Sequence, residues 1–162
     1  MSVFEDLVAL LEREQARFRV VEHESEGRSD LVAALRGTTI AQGAKAMVCE
    51  ITDLSKTEPG KFVLAVVPGD CRVNFKAVAR MADGRKGTFA NPDRAQSLTG
   101  CVMGAVPPFV FNGPLTLFAD AAFLASEDEI AFNAGRLDRS IVMKSVDYKR
   151  IARPQIGDIA VR

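Results

Sequence analysis

Ala44-Lys45-Ala46-Met47-Val48-Cys49-Glu50-Ile51 and Lys61-Phe62-Val63-Leu64-Ala65-Val66-Val67 are two apolar, β-rich runs, parted by a polar stretch that contains Pro59-Gly60. Runs of this length, bounded by turn residues, predict two strands paired as a hairpin with a long tip. Pro68-Gly69 ends the second strand. Toward the N-terminus, Ser2 and Glu5 form a capping box for a helix with Phe4, Leu7, Val8 and Leu11 on one side, expected to run to about Arg17. Phe18 to Glu22 reads as a short strand. Ser29 is the expected cap of a helix over Asp30 to Arg36, with Gly37 as its left-handed terminator.

Toward the C-terminus, Asn74 is set to cap a helix to Met81, closed by Asp83-Gly84. Gly87 to Ala90 reads as a short strand. Asn91-Pro92 opens another helix, with proline where its missing N–H is harmless. Further strands are expected at Cys101 to Met103, Leu115 to Phe118, Ile130 to Asn133 and Ile141 to Lys144. Ser145 is expected to cap a last helix through Ile151. Strands outnumber helices, and short turns rather than crossover helices join several neighbours. The pattern predicts one α+β domain over residues 1–153 with a mixed, largely antiparallel sheet. Residues 154–162 are expected to be a loosely held tail.

The 162 residues are 48% hydrophobic and 26% charged, enough for one core and cramped for two. Lys plus Arg equals Asp plus Glu at 21 each, so global charge recommends no polyanionic partner. The charge is unevenly spread, however. Residues 1–26 hold seven acids and three bases, whereas residues 72–94 hold six bases against Asp83 and Asp93. Residues 136–153 hold six bases against Asp138 and Asp147. Two basic stretches suit a phosphate-facing surface, although scattered solvated charges read the same way. Cys49, Cys71 and Cys101 have apolar neighbours and no Cys-x-x-Cys spacing, which fits buried free thiols in a reducing compartment. No leader is evident and no segment approaches 18 apolar residues, so a cytoplasmic protein without a membrane partner is expected.

His23 is the single histidine, so a histidine-based metal cluster is excluded, and neither metal nor cofactor is expected. No nucleophile elbow, phosphate loop or dinucleotide fingerprint is present. An enzyme built on this chain must act on an already activated substrate by positioning and electrostatics. Lys45, at the mouth of an apolar strand, reads either as a snorkelling strand-end lysine or as a fixed cation for phosphate or carboxylate. An amine able to form a Schiff base is a third reading. Gly100, Gly104 and the pair Pro107-Pro108 restrict the segment from Thr99 onward. The amides of Gly104, Ala105 and Val106 could then converge on a developing oxyanion, or the segment could be an ordinary rigid turn.

The order Val21-Glu22-His23, Gly43-Ala44-Lys45-Ala46, Thr99-Gly100 with Gly104 and Pro108, and Phe132-Asn133-Ala134-Gly135-Arg136 resembles the YbaK/aminoacyl-tRNA deacylase family, relatives of the editing domain inserted in bacterial prolyl-tRNA synthetases. The resemblance covers roughly residues 15–152. It implies a curved mixed sheet surrounded by helices. It also implies hydrolysis of the ester joining a wrong amino acid to tRNA, without a protein nucleophile. By the same resemblance Lys45 binds the acceptor end, and the segment Gly104 to Pro108, with Pro107, seats the aminoacyl group. Candidate substrate contacts are His23, Ser29, Thr38, Thr39, Thr99, Gly100, Asn133 and Ser140. Arg136 and Arg139 are candidate phosphate contacts.

Residues 104–109 and 132–141 look most like the branch that clears Ser- or Thr-charged tRNA, with Ala-tRNA(Pro) and Cys-tRNA(Pro) as alternatives. Ser140 stands where other members carry an acid, which sets aside mechanisms that use a carboxylate there. The partners implied are the acceptor end of a mischarged tRNA and an aminoacyl-tRNA synthetase. A non-catalytic module gripping an aminoacyl-tRNA end or a synthetase is the competing reading.

Overall fold

In the computed structural model, which describes residues 2–53, 60–111 and 113–162, the chain runs α1 (Val3–Arg13), β1 (Phe18–Glu22), α2 (Ser29–Arg36), β2 (Ala44–Thr52), β3 (Lys61–Pro68), β4 (Arg72–Val73), α3 (Phe75–Met81) and β5 (Lys86–Phe89). It continues α4 (Pro92–Thr99), β6 (Thr116–Asp120), α5 (Ala121–Ser126), β7 (Glu129–Arg136), β8 (Arg139–Lys144), α6 (Ser145–Ala152), β9 (Gln155–Gly157) and β10 (Ala160–Val161). The fold is α+β with mixed, largely antiparallel sheets. β2 and β3 form the expected antiparallel hairpin, in register from Ala44–Pro68 to Ile51–Lys61. Of its tip, Pro59 lies outside the described residues.

β3 is central. It pairs β2 antiparallel and β6 in parallel, and the sheet extends to five strands in the order β5-β2-β3-β6-β9. Its alternate residues bury in opposite directions: Leu64 and Val66 join one core, and Val63, Ala65 and Val67 the other. A strand covered on both faces needs apolar residues at every position, which is what the run from Val63 to Val67 supplies. A second, antiparallel sheet in the order β1-β8-β7 meets the first at a parallel bridge between Gly43 and Ala131. Between the sheets lies the larger core, with Leu64, Phe123, Phe132, Ile141 and Tyr148.

Several expectations are corrected. α1 stops at Arg13, because Gln15 takes a positive φ of 56° and the backbone N–H of Arg17 turns away to Asp147. Ser29 is the first residue of α2 rather than its cap; the Glu26 carboxylate accepts the Gly27 and Arg28 amides instead, at 3.1 and 3.0 Å. Ser145 likewise lies inside α6, which has no side-chain cap at Lys144. Residues 101–103 form no strand. The left-handed Gly100 and Gly104 bracket them, and the Val102 carbonyl is taken by a turn.

The expected loose end is paired instead. β9 runs parallel to β6, β10 pairs β4, and Ile159 is fully buried. Cys49, Cys71 and Cys101 are buried and unbridged. No helix among the described residues is long and apolar enough to cross a membrane.

Candidate active site

Where the start of β2 passes the segment before α2, a cavity of about 460 Å³ opens to the surface. It collects Ser29, Lys45, Gly104, Val106 and Asn133 from the sequence-derived candidates. Two glycine contacts shape it. Gly69 lies so close to the Ile40 carbonyl that a Cβ would stand 2.6 Å from that oxygen. Gly104, at φ +87°, approaches Gly27 so closely that a Cβ would meet its Cα at 2.8 Å. Only glycine tolerates both the sign of φ and the approach.

Lys45 sits on the cavity wall with Nζ donating to the Cys71 carbonyl. Burial lowers its pKa from the ordinary lysine value, opposed by Cys71 and Asp70. Arg36, which the sequence reading passed over, lines the same cavity and is only 6% exposed. Its Nη1 donates to Ser140 Oγ at 3.1 Å and its Nη2 to the Ala131 carbonyl at 3.4 Å, while Nε has no partner among the described residues. Burial pushes the guanidinium down to about 10, still a cation at neutral pH. Two cations thus stand in one wall. Arg28 and Asp30, exposed near the opening, pair with each other at 3.1 Å.

One side chain fixes the cavity's backbone walls. Asn133, 6% exposed on β7, donates from Nδ2 to the Glu26 carbonyl at 2.8 Å and to the Gly104 carbonyl at 2.9 Å. It ties the strand-to-α2 segment to the glycine loop. Behind it, fully buried Ser140 is a junction: Oγ lies 3.0 Å from Asn133 Oδ1, 3.1 Å from Arg36 Nη1 and 2.7 Å from His23 Nε2. His23 Nδ1 faces the Glu24 carbonyl at 2.7 Å, and a carbonyl can only accept, so Nδ1 carries a proton. When the ring is neutral, its Nε2 and Asn133 Oδ1 therefore compete for the single hydroxyl proton of Ser140. His23 and Ser140 reach the cavity through Asn133 and Arg36 rather than by lining it.

The three loop amides do not act together. The Ala105 N–H donates to the Val102 carbonyl at 3.0 Å, closing a tight turn, and its own carbonyl accepts from Gly135 at 2.9 Å. Among the described residues the Gly104 and Val106 amides meet no acceptor, so two donors rather than three are free. Thr99 and Gly100 serve the end of α4. The Thr99 hydroxyl donates to the Ala95 carbonyl at 2.8 Å and accepts from the Cys101 amide at 3.2 Å, and Gly100 is the left-handed cap.

With Pro107, these two line a separate cavity of about 320 Å³ beside Phe109 and Phe111. Pro108 is buried and its carbonyl accepts from the Tyr148 hydroxyl at 2.7 Å. Thr39 closes a turn with Gln42, and the Thr38 hydroxyl is buried without a partner among the described residues. Neither threonine lines the main cavity. Arg136 pairs with Asp138 at 2.9 Å, and Arg139 with Asp138 and Glu22 at 3.3 and 3.7 Å, at the β7–β8 turn outside the cavity.

The chain is similar to known proteins over nearly its whole length. The aminoacyl-tRNA editing domain family matches residues 23–151. The multifunctional Ser/Thr-tRNA deacylase ProXp-y of Escherichia coli K12 is 43% identical over 150 residues, covering 93% of this chain and 88% of that protein. The same protein of Escherichia coli O157:H7 matches equally. Among solved structures, hypothetical protein APE2540 superposes with a TM-score of 0.82 at 19% identity, covering 96% of this chain and 99% of that one. A candidate trans-editing enzyme for prolyl tRNA synthetase gives 0.80 at 22%, covering 100% and 99%. At such identities these two likenesses speak for the fold. Taken with the family match and the 43% identity, they lead to one assignment: the chain belongs to the aminoacyl-tRNA editing domain family.

Proposed function

We propose that the protein is a trans-editing hydrolase that removes serine or threonine from mischarged tRNA. The observation that carries this reading is that Lys45, Gly104 and Val106, the last two with unengaged amides, line one cavity of about 460 Å³. Lys45, backed by buried Arg36, gives the cavity a positive potential suited to the terminal ribose–phosphate. The ester carbonyl is held near the Gly104–Val106 loop. Water attacks the carbonyl carbon, the bond to the ribose oxygen breaks, and that oxygen takes a proton as the free hydroxyl.

The neighbouring ribose hydroxyl assists, so no side-chain nucleophile is needed. A main-chain donor aimed at the developing oxyanion is worth about 10²–10³ in rate. Ser29 and Asn133 line the space where a side-chain hydroxyl would sit. Such a second sieve is useful because a synthetase pocket separates close analogues by only about 10–200-fold.

The 43% identity to a Ser/Thr-tRNA deacylase supports serine and threonine over alanine and cysteine as the amino acids removed. The reading puts the protein in the cytoplasm, where tRNA is charged, with an aminoacyl-tRNA synthetase as the partner to seek by co-purification. The experiment is deacylation, at catalytic protein ratios, of a panel holding Ser-tRNA, Thr-tRNA, Ala-tRNA(Pro) and Cys-tRNA(Pro). Ser-tRNA and Thr-tRNA should turn over, and Lys45→Ala should lower kcat/KM by about 10²-fold or more, the cost typical of one lost electrostatic contact. Wild-type rates in Lys45→Ala would remove the lysine from the mechanism. Binding without turnover by the wild type would leave a non-catalytic module.

A further inference from the structure

Lys45 and Met47 line a second cavity on their other side, about 500 Å³ in volume, completed by Arg72, Val73, Phe75, Phe89 and Val161. It adjoins the presumed ester site through those two residues alone. Alternation along β2 explains the placement. Ala44, Ala46 and Val48 turn to the core between the sheets, while Met47, Cys49 and Ile51 turn to the opposite face. Lys45 turns the same way as Met47, and because both residues line both hollows they form the ridge between them.

The second hollow is built unlike the first. Phe89, at the end of edge strand β5, is 53% exposed, and Val161 is 39% exposed. Phe75 meets the Phe89 ring edge-on, with centroids 4.9 Å apart and planes at 80°. That contact steadies the ring and leaves much of its surface open. Arg72 is exposed on β4 and has no ion-pair partner among the described residues. The lining holds two cations and no carboxylate. A steadied aromatic ring in a cationic groove is the chemistry that seats single-stranded nucleotides, by stacking on the base and neutralising the phosphate.

Resting on the deacylase reading, we propose that this cavity seats the base of the nucleotide preceding the acylated adenosine, stacked on Phe89, with the intervening phosphate between Lys45 and Arg72. The terminal adenosine with its ester occupies the first cavity, and the strand crosses the ridge at Lys45. Two consecutive nucleotides are then gripped on either side of one lysine, and selection against free amino-acid esters follows from the second grip.

The test has a binding arm and a kinetic arm. The binding probe is the trinucleotide CpCpA, without an acyl group, carrying a fluorescent cytidine analogue in the middle position. Wild type should quench it, and Phe89→Ala should bind it about tenfold or more weakly, the loss typical of one removed base–aromatic stack. Phe89→Trp should retain binding, and Phe89→Leu, apolar but without a π-face, should not. In kinetics, Phe89→Ala should raise KM for Ser-tRNA by a similar factor at unchanged kcat. Hydrolysis of 3′-seryl-adenosine, which lacks the preceding nucleotide, should be unaffected.

Equal CpCpA binding by wild type and Phe89→Ala overturns the proposal, as does an equal loss on tRNA and on seryl-adenosine. Self-association abolished by Phe89→Ala also overturns it, by giving the groove to a second copy of the chain. Quenching and binding by a wild type that hydrolyses neither ester would support the nucleotide site while refuting the deacylase reading.

Discussion

Asn133 holds two stretches of backbone with one amide group. Its two N–H bonds go to carbonyls of residues 26 and 104, more than seventy positions apart in sequence and side by side where Gly27 meets Gly104. Asn133→Leu keeps the volume and removes both donors. The mutant should lose about 1–3 kcal/mol of stability, because two carbonyls are left without their partner. It should also lose up to about 10²-fold in kcat on Ser-tRNA, the scale of an ångström-sized misplacement of a binding loop. Urea unfolding and single-turnover kinetics read the two effects separately, and a stability loss with intact kcat would limit Asn133 to a structural role.

Lys45 and Gly104, both of which line the main cavity, stood out in the sequence because each is odd for its setting, a lysine in an apolar strand and a glycine boxed between prolines and another glycine. Arg36 did not. An arginine closing a helix before Gly37 looks like an ordinary partner for the helix C-terminus, and nothing local tells that β7 and β8 will bury it. Thr99-Gly100 marks the family motif, and in the fold the pair ends α4 and lines a neighbouring cavity rather than the main one.

At the level of elements, the α1–β1 connection is held to α6 by the Arg150 guanidinium, which donates to the Glu14 carbonyl at 2.9 Å, and by one carboxylate that takes three hydrogen bonds from Arg17. Asp147, buried in the first turn of α6, accepts from the backbone N–H of Arg17 at 2.9 Å and from its guanidinium at 3.1 and 3.3 Å. The Arg17 side-chain hydrogen bonds hold this carboxyl below the usual aspartate value of 3.8. On acidification the unfolded chain therefore takes up the proton before the folded one does. The stabilisation is complete above that usual value and is lost as pH falls through the lower folded value. Asp147→Asn should be less stable than wild type by about 1–3 kcal/mol near neutral pH, and the gap in urea midpoint should narrow steadily below about pH 4. A gap that widens on acidification would contradict this account. The strands and caps that local residues govern, such as the hairpin and the Asn74 and Asn91 caps, were readable. The end of α1 was not, because the turn after it depends on the bond from Arg17 to Asp147, 130 positions further along the chain.

Across the whole molecule, the last residues fasten the far edge of the five-stranded sheet. Pro154, Gly157 and a three-residue strand give little local signal, so the sequence reads as a tail. Only the register with β6 reveals otherwise, and parallel pairing between distant segments leaves no local trace. The fastening centres on Asp120, fully buried, which accepts from the Phe123 and Ile159 amides at 3.1 Å each and pairs with Arg162. Deleting residues 154–162 removes the buried Ile159 side chain, two strands and the cation facing Asp120 at once. The truncated chain should therefore unfold at a much lower urea concentration, if it folds at all.

Two single substitutions divide the effect and keep the claim testable when the truncation fails to fold. Ile159→Ala should cost about 2–5 kcal/mol as a core cavity. Arg162→Ala should cost nearer 1 kcal/mol, since the 45% exposed Arg162 side chain lets water screen the pair and replace it. A truncated protein with the wild-type midpoint would mean that the sheet ends at β6 and that β9 and β10 merely rest against it.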